Sequence, residues 1–555
     1  MSKKYVIVGG VAGGATAAAR LRRLDESAEI ILLEKGPNVS FANCGLPYYV
    51  GGVIENREDL LVMSPEKFHG LFAIDVRVES EVIHVDTQTK TLTIKTAEKN
   101  YEENYDALLL SPGAQPLRPP IPGIDQENIV SLRNVPDADR LFALVQQHKV
   151  QGKAVVVGGG FIGVEVAENL RTRGLDVTIV EAAPHILAPF DTDMIGQAEA
   201  ELRQHGIRLI LQDGVKEFQR QADGSVEVLL SDGQSLPADF VVLAIGVRPD
   251  TAFLQGSSIE LTERGHILVD AFMQTSAPDV YAVGDAVMTI DHQTGSRMAL
   301  PLAGPANRQG RLAADNIAGL KREYHGVQGS SILKVFSLTA AASGKNERTL
   351  QKEGLVYGKD YRFTITYPAS HAAYYPDSKK FALKMLFRLS DGRVLGAQAV
   401  GQEGVDKRID VLAAVIRQQG TIEDLMDLEL SYAPPFSSAK DPVNMAGYVA
   451  DNIRQGFTDP MRPEELQALQ QQDLVRIDVR PPAMYQQGHL PGFVNIPAAK
   501  LRTQLAQLDK TRPIIISCQV GMNGYFMERM LKQHGFNARN LMGGFTYAAP
   551  VLGKE

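Results

Sequence analysis

Lys4-Tyr5-Val6-Ile7-Val8-Gly9-Gly10-Val11-Ala12-Gly13-Gly14-Ala15-Thr16-Ala17-Ala18-Ala19 is the stretch that decides the fold. An apolar strand runs straight into glycines and then into a helix of small residues. That order brings backbone N–H groups and a helix N-terminus up to a pyrophosphate, as in a dinucleotide-binding βαβ turn. The next strand, over residues 30–33, ends at Glu34. It lies about twenty residues past Gly14, the spacing expected for a carboxylate on a ribose hydroxyl. Val11 breaks the strict G-x-G-x-x-G pattern, because it stands where the middle glycine belongs.

Val155-Val156-Val157-Gly158-Gly159-Gly160-Phe161-Ile162-Gly163 repeats the design with all three glycines, Gly158, Gly160 and Gly163, in place. Glu181 closes the following strand. A carboxylate there accepts the ribose hydroxyls of NAD and repels the extra phosphate of NADP. Ala182, Ala183 and Pro184 follow, with no arginine to receive that phosphate, so the reading is NADH rather than NADPH. Two such units imply two dinucleotides. The apolar runs Leu108-Leu109-Leu110 and Val241-Val242-Leu243 each stop at a turn, and Val280-Tyr281-Ala282-Val283 meets Gly284 and Asp285.

The totals set bounds. A chain of 555 residues allows three to four domains. No apolar run is long enough to span a membrane, and a core strand beginning at Tyr5 argues against a signal peptide. The net charge of −8 argues for solubility and against a nucleic-acid surface. Cys44 and Cys518 are the only cysteines. Two thiols make no disulfide framework, which points to a reducing, cytoplasmic compartment. No group of residues is assigned to a metal.

Beyond the second glycine unit, a helix is expected over 311–320. From about residue 330 the pattern turns to β-rich alternation, followed by a helix over 406–418. This is an α+β unit of the size of a dimerisation domain. Polar and turn residues over 451–463 read as a linker. The last ninety or so residues alternate strand and helix again, with strands over 474–480, 488–497 and 513–517. A loop led by Cys518 then opens a helix over 525–534.

Ser40-Phe41-Ala42-Asn43-Cys44-Gly45-Leu46-Pro47-Tyr48-Tyr49 follows the first unit. A thiolate is the nucleophile of thiol–disulfide exchange. Ser40, Phe41, Ala42 and Asn43 precede Cys44 with no second cysteine among them, so a local dithiol mechanism is excluded. Cys44 must cycle through a mixed disulfide, a persulfide or a sulfenic acid.

Together these motifs resemble the two-dinucleotide flavoprotein pyridine nucleotide-disulfide oxidoreductases. The Cys44 stretch resembles their coenzyme A-disulfide reductase branch, although peroxidase and oxidase relatives also use a single cysteine. Asp478-Val479-Arg480, Gly488-His489-Leu490-Pro491-Gly492-Phe493-Val494-Asn495-Ile496-Pro497 and the Cys518 loop resemble a rhodanese domain. The resemblance implies an α/β chain of two Rossmann-like domains, an α+β dimerisation domain and a C-terminal α/β rhodanese domain. The expected order is an FAD domain over 1–149, an NADH domain over 150–270 and a return to the FAD domain over 271–325. A dimerisation domain over 326–450, the linker and a rhodanese domain over 464–555 complete it.

The resemblance also implies roles. FAD falls to Gly9, Gly10, Ala12, Gly13, Gly14, Glu34, Lys35, Ala114, Gly284, Asp285 and Ala303. NADH falls to Gly158, Gly160, Phe161, Ile162, Gly163, Glu181 and Gly246. Cys44 is the redox nucleophile, with Ser40 and Asn43 near the coenzyme A thiol and Asn307 and Lys440 near the substrate. Arg20 and Arg23 are placed near coenzyme A phosphates. The run Arg20, Arg22, Arg23 also reads as an anion-binding face, though a solvated helix face has the same pattern. Tyr374 and Tyr432 lie in segments resembling those that reach across a homodimer and protonate a leaving thiolate. A phenol with a pKa near 10 suits that task, and packed interface tyrosines would read alike. Cys518 would carry sulfane sulfur. Asn523 stands where such loops commonly hold arginine, which argues against thiosulfate. The function read is NADH-dependent reduction of coenzyme A persulfide, polysulfide or coenzyme A disulfide. The alternatives are an NADH oxidase or peroxidase cycling through Cys44 sulfenic acid, and a redox sensor or sulfur-relay protein that seldom turns over.

Overall fold

The computed structural model describes residues 2–148, 151–469 and 473–555. They divide into two compact units, residues 1–188 with 199–328 and residues 189–198 with 329–555. Among the described residues, no helix is long and apolar enough to cross a membrane.

The first unit is built on the two glycine turns. Strand β1 (Lys4–Val8), helix α1 (Ala12–Leu24) and strand β2 (Glu29–Leu33) form the first βαβ element. Its parallel sheet runs Asp75–Arg77, β2, β1, Ala107–Leu110, Val280–Ala282, so the chain returns to it some 170 residues later. The cysteine-bearing stretch leads into helix α2 (Leu46–Gly51). Strand β3 (Lys153–Val157), helix α3 (Phe161–Thr172) and strand β4 (Asp176–Glu181) repeat the element in a second parallel sheet. The central strands of both sheets are almost wholly buried, as expected of parallel sheets covered on both faces, while the edge strands Asp75–Arg77 and Arg208–Leu211 are partly exposed. Helix α4 (Ala303–Ile317) packs against α1, where a Cβ on Gly310 would lie 2.2 Å from the Gly13 carbonyl oxygen.

Three expectations are corrected here. The second sheet takes an edge strand, Ile129–Val130, from the region read as the first domain. Two apolar residues are too short to show a period. The expected boundary at 149 and 150 itself lies outside the described residues. Helix α4 begins at Ala303 rather than 311, because Gly304 and Pro305 fall in its first turn, where a proline's missing N–H costs no intrahelical bond. Residues 451–454 are not linker but the last turn of the helix Pro442–Arg454, which stops at Gln455 and the left-handed Gly456.

The second unit holds an antiparallel sheet ordered Ser331–Val335, Leu338–Gly344, Val394–Gly401, Phe381–Arg388, Tyr361–Thr366. It also holds a parallel sheet ordered Val494–Asn495, Val475–Asp478, Ile514–Ser517, Ala538–Asn540. The second of these carries helices α5 (Met522–Gln533) and α6 (Gly544–Leu552). Helix α5 starts three residues before the expected 525, directly after Gly521 in the left-handed region. Met461, expected in the linker, hydrogen-bonds through its backbone to Asn540 and Met542.

One charge cluster ties the antiparallel sheet of this unit to helix α6. Lys384 is fully buried in the strand Phe381–Arg388. Its Nζ lies 2.7 Å from Asp193, 2.8 Å from Glu347 and 3.0 Å from Asp191. Asp193 also accepts a hydrogen bond from the Tyr547 hydroxyl of α6, and Arg462 lies 3.4 Å from Glu347. Burial works against the Lys384 ammonium, but the three carboxylates outweigh it and raise its pKa. Burial likewise opposes the Asp193 carboxylate, and Lys384 outweighs it and holds the pKa low. Asp193 therefore contributes stability above the ordinary carboxylate pKa, and that contribution is lost as pH falls through its depressed value.

Lys384→Met removes the ammonium that three carboxylates share, leaves Arg462 for Glu347 alone, and should cost about 3–5 kcal/mol of stability at neutral pH. Chemical denaturation checks this. The gap to wild type should narrow as pH falls from the ordinary carboxylate range through the depressed pKa of Asp193, where wild type loses that contribution.

Candidate functional site

The Cys44 loop is tied to the first glycine turn. Ser40, at φ +48°, donates its backbone N–H to the Gly10 carbonyl at 2.8 Å, and its own carbonyl accepts from Val62 at 3.0 Å. Phe41 bridges Leu61, and Ala42 N–H donates to Leu60 at 2.7 Å. A single 3-10 turn, Asn43–Gly45, then delivers Cys44, exposed, to the start of α2. Helix α2 packs closely on α3: a Cβ on Gly51 would lie 1.8 Å from Asn169 Oδ1.

That packing brings groups of the second glycine unit to Cys44. Tyr48 donates its hydroxyl to Glu165 Oε1 at 3.0 Å. Arg133 donates Nε to the Ala114 carbonyl at 2.7 Å and lies 3.9 Å from Asp285. The Asn43 carboxamide, oriented with its oxygen toward the guanidinium, accepts from Arg133 and donates to the Arg133 carbonyl at 3.0 Å. Although Cys44 as a residue is exposed, partial desolvation of its sulfur pushes the thiol up, and the carboxylates of Glu165 and Asp285 push it further, against Arg133. Burial also raises Glu165 and Asp285 themselves. The surroundings thus favour the thiol over the thiolate. Sequence reasoning missed Glu165, Tyr48 and Arg133. Glu165 did carry a signal, as a carboxylate two residues past Gly163 in an otherwise apolar helix start.

The two glycine turns fit dinucleotides. Among the described residues, neither α1 nor α3 has a capping side chain or an acidic residue in its first turn. Their leading N–H groups therefore face outward as anion donors. A Cβ on Gly160 would meet nothing within 4 Å, so the turn is open on that side. Glu34 accepts from Gly10 N–H at 2.9 Å and Gly36 N–H at 2.8 Å. Glu181 accepts from Gly159 N–H at 2.6 Å and Ala183 N–H at 2.7 Å. Each carboxylate oxygen keeps a further lone pair for a hydroxyl. Phe161 is half-buried and Ile162 exposed in the first turn of α3. Gly246 adopts φ +113°. Gly284 donates its N–H to Gln309 at 2.8 Å, Ala303 is exposed at the start of α4, and Lys35 pairs with Asp250.

The three-arginine face is corrected. Arg22 is 6% exposed and donates to the carbonyls of Phe72, Ala73 and Glu26 at 2.7–2.9 Å. Helical spacing puts Arg20 and Arg23 on one side and turns Arg22 inward. Arg20 is held by Asp315 at 2.7 Å, and Arg23 is exposed. Asn307 accepts from Thr16 of α1. In the second unit, the exposed Tyr374 and Tyr432 meet with their hydroxyl oxygens 3.0 Å apart, and Lys440 is exposed.

Cys518 sits 3% exposed at the end of the strand Ile514–Ser517, with the Gly521 N–H 3.1 Å from its sulfur. Phe545 N–H donates to the Cys518 carbonyl at 2.7 Å, and a Cβ on Gly544 would lie 2.3 Å from that oxygen. The loop is therefore buttressed by the start of α6.

A profile for pyridine nucleotide-disulphide oxidoreductases matches residues 3–310, that family's dimerisation-domain profile matches 330–442, and a rhodanese-like profile matches 462–548. A coenzyme A disulfide reductase of Staphylococcus haemolyticus is 35% identical over 454 residues, covering 81% of this chain and all of that protein. The crystal structure of reduced Bacillus anthracis CoADR-RHD is 45% identical with a TM-score of 0.95, covering 100% of this chain and 98% of that one. A NAD-dependent persulfide reductase from A. fulgidus is 35% identical with a TM-score of 0.92, covering 98% and 99%.

Glu165→Gln should move the pH midpoint of Cys44 alkylation by iodoacetamide to lower pH, and Arg133→Met should move it higher. Peptide mass spectrometry separates Cys44 from Cys518. Midpoints that stay fixed in both variants would contradict the electrostatic account.

Proposed function

Because the chain belongs to the pyridine nucleotide-disulphide oxidoreductases and carries a rhodanese-like domain, we propose that this oxidoreductase uses NADH to reduce coenzyme A persulfide or coenzyme A disulfide. The observation that carries the reading is the single thiol of Cys44, hydrogen-bonded through its loop to one dinucleotide turn and packed beside the other. The similarity to a coenzyme A disulfide reductase and to a NAD-dependent persulfide reductase supports the substrate class.

In this reading the N–H groups at the starts of α1 and α3 hold the pyrophosphates of FAD and NADH. Glu34, Lys35, Ala114, Gly284, Asp285 and Ala303 line the first group. Phe161, Ile162, Glu181 and Gly246 line the second, and Glu181 disfavours a ribose 2′-phosphate. When bound, the flavin and the nicotinamide supply the electron pair that returns an oxidised Cys44 sulfur to the thiolate.

The rest is done by the chain's own residues. The Cys44 thiolate attacks the coenzyme A sulfur, a Cys44–coenzyme A disulfide forms, and hydrosulfide or a second coenzyme A thiolate leaves. Glu165 and Asp285 restrain ionisation of Cys44, so the thiolate is most available when those carboxyls are neutral. Tyr374 and Tyr432, contributed across a homodimer, give the leaving thiolate its proton. Ser40 and Asn43 position the thiol end of the substrate, Asn307 and Lys440 lie along it, and Arg20 and Arg23 take its phosphates. Cys518 accepts sulfane sulfur and hands it to coenzyme A.

Cys44→Ser should keep bound flavin and its reduction by NADH, and lose sulfide release from coenzyme A persulfide. Anaerobic NADH oxidation with a sulfide assay checks this, and wild-type sulfide release by the variant would sink the reading. Turnover with oxygen or peroxide alone would move it to a Cys44 sulfenic acid cycle.

A further inference from the structure

Tyr374 and Tyr432 are 77% and 48% exposed, yet their hydroxyl oxygens meet 3.0 Å apart. They stand on two separate loops of the second unit, residues 370–380 and 431–441. Two long exposed side chains keep one geometry only if the loops beneath them are fixed, because each free rotamer costs entropy to hold. Buried polar groups fix both loops from below.

In the first loop, Tyr375 N–H donates to the Ala372 carbonyl at 2.9 Å, so Tyr374 is the third residue of a tight turn. His371 is buried and spans that turn. Its Nε2 lies 2.9 Å from the Pro376 carbonyl oxygen, which can only accept, so Nε2 carries the proton. Its Nδ1 lies 3.0 Å from Ser370 Oγ, which accepts from Lys379 N–H at 3.1 Å. The ring also stands edge-on to Tyr375.

In the second loop, the buried Ser437 donates to Asp441 Oδ2 at 2.6 Å. Arg408 Nη2 donates to Ser437 Oγ at 3.0 Å and to Asp441 Oδ2 at 3.1 Å. Asp441 Oδ1 accepts from Val443 N–H at 3.0 Å and so caps the helix Pro442–Arg454. Arg408, buried on the helix Val405–Arg417, lies under the first loop as well. A Cβ on Gly404 would be 2.8 Å from Arg408 Nη1 and 3.3 Å from Ser370 Cα. The loops meet directly where Ala372 N–H donates to the Pro434 carbonyl at 3.2 Å.

We infer that His371 and the Arg408–Ser437–Asp441 group are positioning residues for the tyrosine pair, holding the two hydroxyls at bonding distance so that they act as one acid on the departing thiolate. The inference rests on the reading of Tyr374 and Tyr432 as the proton source and adds what makes two exposed phenols fit for it. A lone phenol is a weak acid at neutral pH. A phenolate that accepts a hydrogen bond from a second phenol is stabilised, so the pair releases its first proton more readily. The remaining hydroxyl then holds its proton, and the bond to Tyr432 pushes Tyr374 above the ordinary phenol value.

The step balances without an outside reductant. The Cys44 thiolate attacks one sulfur of coenzyme A disulfide. A Cys44–coenzyme A S–S bond forms and the substrate S–S bond breaks. The departing thiolate takes one proton from the pair and leaves as the thiol. The exposed phenolate regains its proton from water.

The test compares two substrates on full-length, flavin-loaded protein: coenzyme A disulfide and the mixed disulfide of coenzyme A with thionitrobenzoate. Thionitrobenzoate is a weak base and leaves without a proton. Anaerobic NADH oxidation gives kcat/KM for each. His371→Phe should lower kcat/KM for coenzyme A disulfide about ten- to hundredfold, the scale of a misplaced reacting group. The fall on the mixed disulfide should be under about threefold. Ser437→Ala, on the other loop, should show the same split and guards against one variant failing to fold. His371→Gln keeps an N–H for the Pro376 carbonyl and should recover most of the loss. Neither His371→Phe nor Ser437→Ala should lower kcat/KM further in a Tyr432→Phe background, because residues acting as a unit are not additive. Equal falls on both substrates, or falls that add to that of Tyr432→Phe, make the groups merely structural and overturn the inference. Unchanged kcat/KM in both variants overturns it as well. Wild-type turnover after Tyr374→Phe and Tyr432→Phe together removes the proton-source reading and the inference with it, and leaves disulfide reduction standing. A wild type that reduces neither disulfide overturns the function on which both rest.

Discussion

The first unit depends on backbone passing backbone where a side chain cannot fit. A Cβ on Gly9 would lie 2.0 Å from the Ser111 carbonyl oxygen, and one on Gly14 would lie 1.9 Å from that of Gly9. The second turn repeats the contact at Gly158, 2.3 Å from Ala244, and at Gly163, 2.0 Å from Gly158. These approaches let each helix begin directly above its strand with its N–H groups pointing outward. Gly9 and Gly158 also sit at positive φ, which an L side chain adopts only at a cost. Val11 is tolerated at the middle position of the first turn because that position does not make the close crossings, which fall to Gly9 and Gly14.

The Cys44 environment follows from the same turns. Its loop hangs on the Gly10 carbonyl, and α2 lies against α3 through Gly51. A helix of one nucleotide unit thus brings Glu165 toward a thiol delivered by the other. Desolvation first, and then two carboxylates, raise the pKa of the thiol, opposed by one guanidinium that is shared with Asn43 and Ala114. A change in the charge of any of these groups is felt at the sulfur.

The second unit solves a different problem. Its strand Phe381–Arg388 is buried along nearly its whole length, yet carries a lysine. Lys384 is accommodated because Asp191, Asp193 and Glu347 converge on it from separate parts of the chain. The Tyr547 hydroxyl extends the cluster into α6, whose first residues buttress the Cys518 loop. At the loop itself, the Arg480 guanidinium that bonds Gln519 is paired with Asp478, and the Cys518 sulfur lies 3.1 Å from the Gly521 N–H within an apolar cluster.

The sequence alone determined the two glycine turns, the carboxylates that end their second strands, the lone cysteine after the first turn, and the second cysteine leading a loop into a helix. These are local features, set by glycine spacing and strand period, so they are legible over a few residues. Arg20 and Arg23 sharing a face followed from helical period, whereas Arg22 was misread, because the burial that turns it onto the Phe72 and Ala73 carbonyls is not written in the run itself. The strand Ile129–Val130 joined the second sheet through a partner about 110 residues away, with too few residues of its own to announce it. Only the tertiary structure decided that Glu165 and Arg133 face Cys44, that Lys384 gathers three distant carboxylates, and that Arg480 is spent on Asp478. Each of those is a pairing of charges that depends on which backbones pack side by side, and no local pattern carries that information.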